Sequence, residues 1–146
     1  MTIRDYHPGD FPALCDIDRR CFPPGIAYSP DDIAMALLER GAFVVVGEED
    51  GKAAGFILAR NERGGRAHII TIDVLEPYRR SGLGTLLLEE AHLRLRVAGA
   101  KRIVLEVSVE NAPAQAFYRK HGYESTRRLR HYYRDQEDAW QMVKTL

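Results

Sequence analysis

The stretch His68-Ile69-Ile70-Thr71-Ile72-Asp73-Val74 followed by Arg79-Arg80-Ser81-Gly82-Leu83-Gly84-Thr85 decides the fold. Its first half is β-branched and apolar, the composition of a buried strand. Its second half is a glycine-marked turn that opens a helix. Gly82 and Gly84 let backbone N–H groups come close to an anion at the positive end of that helix, and Arg79 and Arg80 add donors. Taken alone, two such glycines more often make only a tight turn with a solvated pair of arginines.

Outward from this unit, the elements on both sides are readable. Downstream, Leu83, Leu86, Leu87, Ala91, Leu95 and Ala98 form one stripe of a helix that Gly99 can end. Ile103 to Val109 reads as another strand, Asn111 caps a short helix ending at His121-Gly122, Tyr123 to Tyr133 is strand-like, and Ala139 to Val143 supplies a last strand. Upstream, Thr2 to Tyr6 is a short strand and Asp10 is placed to cap a helix running to Cys21. Phe22-Pro23-Pro24-Gly25 breaks that helix, and Ser29-Pro30-Asp31-Asp32 starts a second one directed to Gly41. Phe43 to Gly47 and Ala54 to Arg60 flank the turn Glu49-Asp50-Gly51-Lys52 as an antiparallel hairpin. Hairpins mixed with one strand-helix-strand crossover predict an α/β domain with a mixed sheet and helices on both faces.

At 146 residues the chain is expected to form a single domain over 1–146 with one active site. Lysine plus arginine number 21 and aspartate plus glutamate 21, so the formal charge is +0 and no overall field favours nucleic acid or membrane. The basic segment Arg127 to Arg134 matches no nucleic-acid module. Met1 to Asp5 lacks the apolar stretch of a secretory signal and no later run has transmembrane length, so a cytoplasmic protein is expected. Cys15 and Cys21 match no zinc-ligand spacing and read as reduced, partly buried thiols; no metal is expected.

Other nucleotide motifs fit less well. Thr85 follows Gly84 without the lysine of a P-loop, and Leu87 stands where a dinucleotide fingerprint requires its third glycine. The chain instead resembles the GNAT superfamily of N-acetyltransferases, whose pyrophosphate loop reads Arg or Gln, two residues, Gly, any residue, Gly or Ala; Arg79, Gly82 and Gly84 fill it. The likeness continues through Leu105-Glu106-Val107 to Asn111, Ala114, Phe117-Tyr118 and Gly122-Tyr123. It implies a mostly antiparallel sheet with a V-shaped splay between its two central strands, and acetyl-CoA as co-substrate. By that resemblance Ile72, Asp73 and Val74 bind the cofactor, with the backbone of Ile72 and Val74 pairing with the pantetheine arm. Arg79, Arg80, Ser81, Gly82, Leu83, Gly84 and Thr85 hold the pyrophosphate, and Asn111 bonds to the cofactor arm besides capping its helix.

Glu106 interrupts an apolar strand, where a carboxylate is costly unless it faces a wet cleft or a partner. By itself it reads as an exposed strand glutamate or half of an ion pair. Resemblance to the bacterial RimI-like N-terminal acetyltransferases makes it the proton acceptor, and the family tyrosine at the place of Tyr118 makes that residue the proton donor to the leaving thiolate. A neutral amine then attacks the thioester carbonyl directly, a backbone N–H at the splay stabilises the oxyanion, and no covalent enzyme intermediate is required. His68 is ordinarily a structural histidine at a strand start. It would neighbour Glu106 across the central strands and is kept as a water-holding residue near the acceptor.

Phe22, Pro23, Tyr28 and Tyr132 stand where N-terminal acetyltransferases wall their peptide slot, although Phe22 and Tyr28 can also simply staple the first two helices to the core. The expected acceptor is a peptide or protein α-amine, and the expected assembly a monomer or homodimer. Acetylation of lysine or a small amine is the alternative enzyme reading. A silent acetyl-CoA-binding module would be marked by loss of Glu106 or Tyr118, and both are present.

Overall fold

The computed structural model describes residues 1–146. In chain order it comprises β1 (Thr2–Asp5), α1 (Phe11–Cys21), α2 (Pro30–Leu38), β2 (Ala42–Glu49), β3 (Lys52–Asn61), β4 (Arg66–Val74), α3 (Leu83–Val97), β5 (Arg102–Ser108), α4 (Ala112–Lys120), β6 (Glu124–Leu129) and β7 (Ala139–Thr145). The strands form one seven-stranded sheet in the order β1-β2-β3-β4-β5-β7-β6. Every neighbouring pair is antiparallel except β4 and β5, which the α3 crossover makes parallel. This is the mixed sheet expected.

Local chemistry sets the elements. Ser29 and Asp32 cap α2 reciprocally: Asp32 N–H donates to Ser29 Oγ and Ser29 N–H to Asp32 Oδ2, each at 3.1 Å. The helix stops at Leu38, short of Gly41, because Glu39 is already extended. Asp50 and Gly51 both have positive φ, at 52° and 75°, which matches the twist of the β2–β3 hairpin. No helix is long and apolar enough to cross a membrane.

Three further expectations are corrected. Asp10 precedes α1 but does not cap it. Its carboxylate accepts from His7 N–H at 3.0 Å and from both Arg4 guanidinium nitrogens at 2.8 Å, because Pro8 opens a short 3-10 turn whose free donor is closer. Arg4 holds the Asp10 carboxyl down at about 2. The buried stripe of α3 contains Leu88 and His92 but not Ala98, which is exposed, since the helix lies on the sheet along a broader face than the heptad-like stripe suggests. The strand expected through Tyr133 ends at Leu129. Asp138 there accepts from Arg128 Nε at 2.7 Å and from His131 N–H at 2.9 Å, and this folds the following residues into a loop.

The core lies on both sides of the sheet. Val45, Ile57 and Ile69 face α3 and Tyr118 of α4, whereas Val44, Val46, Phe56 and Leu58 face Leu14 and Ile17 of α1. Two features of β4 open the sheet. Leu58 pairs with Thr71 but Ala59 with Ile69, so Ile70 is an extra residue in a bulge that bends the strand. Pairing with β5 is confined to Arg66, Ala67 and His68 against Arg102, Ile103 and Val104. Beyond those rungs the two central strands diverge.

Candidate active site

The divergence of β4 and β5 forms a cleft of about 1350 Å³, floored by the two strands and closed at its ends by the α1–α2 loop, the turn before α3, α4 and the β6–β7 loop. Of the residues singled out in the sequence, Ile72, Asp73, Val74, Arg79, Arg80, Gly82, Gly84, Thr85, Glu106, Asn111 and Tyr118 line it, together with Phe22, Pro23, Tyr28 and Tyr132. Ser81, Leu83 and His68 do not.

At the turn, Arg80 has φ of 64° and Gly82 of 93°, so the chain reverses sharply before α3. The first bond within α3 runs from Leu86 N–H to Gly82 O at 3.0 Å. The N–H groups of Leu83, Gly84 and Thr85 therefore have no acceptor in the helix and point out of its positive end, a site suited to phosphate oxygens. Arg79 is otherwise engaged: its Nε donates to Val74 O at 2.8 Å and clasps the turn to the end of β4. The Ser81 hydroxyl donates to Tyr78 O, and the Leu83 side chain is buried in the core, so these two offer only backbone to the turn. The Asp73 carboxyl is likewise withdrawn, since burial leaves it 1 % exposed. Asn111 Oδ1 accepts from Ala114 N–H at 3.2 Å, the capping bond expected, while the residue also borders the cleft.

Deeper in the splay, His68 Nε2 lies 2.7 Å from Glu106 Oε1, and the Tyr132 hydroxyl donates to the same oxygen at 3.2 Å. The side chains of His68 and Glu106 are 18 % and 12 % exposed, so the carboxyl is sheltered yet reaches the cleft. His68 thus contacts Glu106 without itself lining the cleft, because residue 68 belongs to the last paired rung of β4 and β5. Burial first, then the neighbouring Glu106, pushes the Tyr132 phenol up to about 12, so it remains a donor. Tyr118 is buried and its phenol is raised by burial and then by the field of Asp73 and Tyr28.

At the end of the cleft bordered by the α1–α2 and β6–β7 loops, Tyr28 donates its hydroxyl to Ile70 O at 3.3 Å, at the bulge, and Tyr132 packs edge-on against Tyr133 with centroids 4.9 Å apart. Beside them opens a smaller hollow of about 360 Å³, bordered by Ile26, Tyr28, Tyr133 and the ion pair of Arg134 with Asp32 at 2.6 Å.

Sequence reasoning missed Cys21, Lys120 and Asp18. Cys21 lines the cleft, donates its thiol to Val74 O at 3.5 Å, and is pushed up to about 11 by burial, which leaves it an unreactive thiol. Lys120, also on the cleft, reads in sequence only as a cation suited to a helix C-terminus. Asp18 carried a visible signal: it follows Leu14 by one helical turn on the buried face of α1.

Residues 11–123 match the acetyltransferase (GNAT) family. An N-alpha-acetyltransferase of Sulfurisphaera tokodaii is 35% identical over 99% of this chain and 92% of its own length. Among solved structures, the ribosomal-protein-S18-alanine N-acetyltransferase of Escherichia coli superposes with a TM-score of 0.86 at 29% identity, covering 99% of this chain and 92% of that one. Ard1 of Thermoplasma volcanium superposes with a TM-score of 0.89 at 27% identity, covering 99% of this chain and 97% of the other.

Proposed function

The chain belongs to the acetyltransferase (GNAT) family and is an acetyl-CoA-dependent N-acetyltransferase, and from that premise we propose that it acetylates the N-terminal α-amine of a peptide or protein. The observation that carries this reading is the position of Glu106. It lies in the splay between the phosphate-type turn and the aromatic acceptor walls, held on one oxygen by His68 and Tyr132. Similarity to relatives named as N-alpha-acetyltransferases supports the same acceptor.

In this reading the N–H groups of Leu83, Gly84 and Thr85 meet the pyrophosphate of the co-substrate, and Arg80 adds positive charge beside them. The unpaired edge of β4 at Ile72 and Val74 takes the extended pantetheine arm, which aims the thioester down the splay toward Glu106. Acceptor nitrogen attacks the thioester carbonyl, and Glu106, directly or through a water, takes the proton that the nitrogen must lose. The C–S bond then breaks and its electron pair leaves on sulfur. Tyr118, which burial keeps protonated, is the donor to that sulfur. A phenol held above its ordinary value is a weak acid in water. The thiolate, however, forms in the same sheltered cleft, where desolvation raises its own basicity and keeps the transfer matched.

Preference for the α-amine has a chemical basis. An α-amine titrates near about 8 and a lysine near about 10.4, so at neutral pH the former offers the larger neutral fraction to a single carboxylate base. Phe22, Pro23, Tyr28 and Tyr132 would grip the first side chains of an extended chain, whereas an internal lysine would have to bring polypeptide on both sides past the same walls.

Acetylation of a peptide with a free N-terminus should be faster than that of the same peptide blocked there and carrying an internal lysine. Faster modification of the blocked peptide would move the enzyme to the lysine or small-amine class.

A further inference from the structure

Asp18 of α1 and Asp73 of β4 are 0 % and 1 % exposed and lie against each other in the wall between the acceptor loop and the cofactor strand. Each has one oxygen satisfied: Asp18 Oδ2 accepts from Tyr28 N–H at 2.7 Å, and Asp73 Oδ1 from the Thr71 hydroxyl at 2.5 Å. The remaining oxygens, Asp18 Oδ1 and Asp73 Oδ2, are buried and have no donor. Two carboxylates cannot bond to each other, because both only accept, and a second buried anion beside the first is strongly unfavourable.

The surroundings supply no other remedy. Facing the pair are Cys15 and Cys21 from α1, Tyr28 from the loop after it, Tyr118 from α4 and Arg79 from the turn after β4. The thiols and phenols are neutral at ordinary pH, and the one cation, Arg79, donates its Nε to Val74 O. One proton retained by the pair would remove the second buried charge and supply the donor that the two carboxyls lack.

We infer that Asp18 and Asp73 share one proton at neutral pH, and that this carboxyl–carboxylate latch fastens the loop bearing Phe22, Pro23 and Tyr28 to the end of β4. Asp18 reaches the loop through Tyr28 N–H, and Cys21 reinforces the same seam through Val74 O. Burial first, then Asp18, raises Asp73, whereas burial raises Asp18 and Asp73 lowers it, in keeping with one proton retained by the pair. Both residues are positioning residues, and this role rests on the α-amine acceptor reading above. Loss of the proton leaves two buried anions that repel across the seam, so the acceptor loop loosens while the phosphate turn is untouched.

The sign of the pH effect follows from linkage. The folded protein keeps a proton that an unfolded aspartate releases near about 3.9, so the latch contributes fully below that value. Its contribution is lost as pH rises toward and through the raised folded value. In Asp73→Asn the carboxamide donates to Asp18 Oδ1 and accepts from Thr71, which keeps the latch without a titrating proton. Asp18→Asn does the same from the other side.

The experiment is carbon NMR of the aspartate carboxyls in the wild-type protein, with melting temperatures of wild type and both asparagine variants from about pH 5 to about pH 9. We expect one of the two buried carboxyls at its protonated shift at neutral pH, and a Tm difference between Asp73→Asn and wild type that moves in favour of the variant by several degrees as pH rises. Two ionised carboxyls at neutral pH, or a Tm difference flat with pH, overturns the shared proton. If neither variant folds, the wild-type titration alone decides. For the positioning role, the ratio of the wild-type KM for a free-N-terminus peptide to that of Asp73→Asn should rise several-fold at alkaline pH, titration of the α-amine being common to both, while acetyl-CoA affinity holds in both. Equal KM drift in both proteins overturns that role. A protein that acetylates no peptide defeats the acceptor reading but leaves the carboxyl titration to be judged separately.

Discussion

His68 Nε2 and Glu106 Oε1 are 2.7 Å apart across the last paired rung of β4 and the first unpaired residues of β5. A carboxylate only accepts, so the imidazole donates to Oε1 and fixes the rotamer of Glu106. Glu106→Gln preserves shape and removes the proposed base. Its kcat should fall by roughly 10²-fold or more while acetyl-CoA affinity measured by calorimetry stays at the wild-type level. His68→Gln retains a donor to residue 106 and should keep more of kcat than His68→Leu. Equal rates for Glu106→Gln and wild type would reduce the pair to a structural contact.

Tyr118 is tested in the same assay but at a different step. Tyr118→Phe leaves its packing against Phe117 and Tyr123 intact and removes the hydroxyl. A loss of about 10²-fold in kcat is expected at unchanged Tm. The loss should shrink with an acyl donor whose thiol leaves more easily, because such a leaving group has less need of protonation. A deficit independent of the leaving group would remove Tyr118 from the proton step.

Gly82 has φ of 93° and only the tip of Met1, at 3.7 Å, near the place of an added Cβ. Substitution there therefore acts through backbone conformation and charge, with little crowding. Gly82→Asn and Gly82→Asp carry similar backbone strain, and both residues tolerate the left-handed region better than most. Only aspartate sets a negative charge at the positive end of α3. Acetyl-CoA affinity should therefore fall further in Gly82→Asp than in Gly82→Asn, and the gap should narrow at high salt. Equal affinities would argue against phosphate binding at this turn.

His92 is buried in α3 with Nε2 2.7 Å from the Tyr123 hydroxyl, and burial lowers it to about 4. An unfolded histidine titrates near about 6.5, so between the two values the unfolded chain binds more protons. The neutral imidazole's contribution is thus fully present above about 6.5 and is lost as pH falls through the folded value. Tm should decline over that acid window. His92→Gln, which keeps a polar partner for Tyr123 without titrating, should decline less. Parallel acid slopes for the two proteins would assign the decline to other groups.

The sequence is most transparent where the chemistry is local. Ser29 with Asp32, Asp50 with Gly51, and the turn before α3 involve neighbours in the chain, and their residue types announce their conformations. Glu106 was visible because a carboxylate interrupts an apolar strand. Asp18 follows the same logic one helical turn after Leu14, but its partner lies on β4 and nothing near it in the chain names Asp73. Tyr132 reaches Glu106 only because Asp138 folds the loop after β6, so its strand-like neighbours mislead. That His68 meets Glu106 without lining the cleft depends on where the β4–β5 rungs stop, close to the bulge at Ile70, and no periodicity encodes either feature.

That bulge has a bearing on solubility. A run of unpaired strand backbone is normally an aggregation hazard, because any passing chain can template on it, and outer strands are commonly guarded by charge, as β6 is with Arg127 and Arg128. The free margin of β4 needs no such guard. It lies in the middle of the sheet, flanked by β5 and roofed by the α1–α2 loop and α4, so only a slender, extended molecule can thread alongside it. Straightening β4 so that it zips to β5 along its whole length would make a sturdier sheet with nowhere for that molecule to lie.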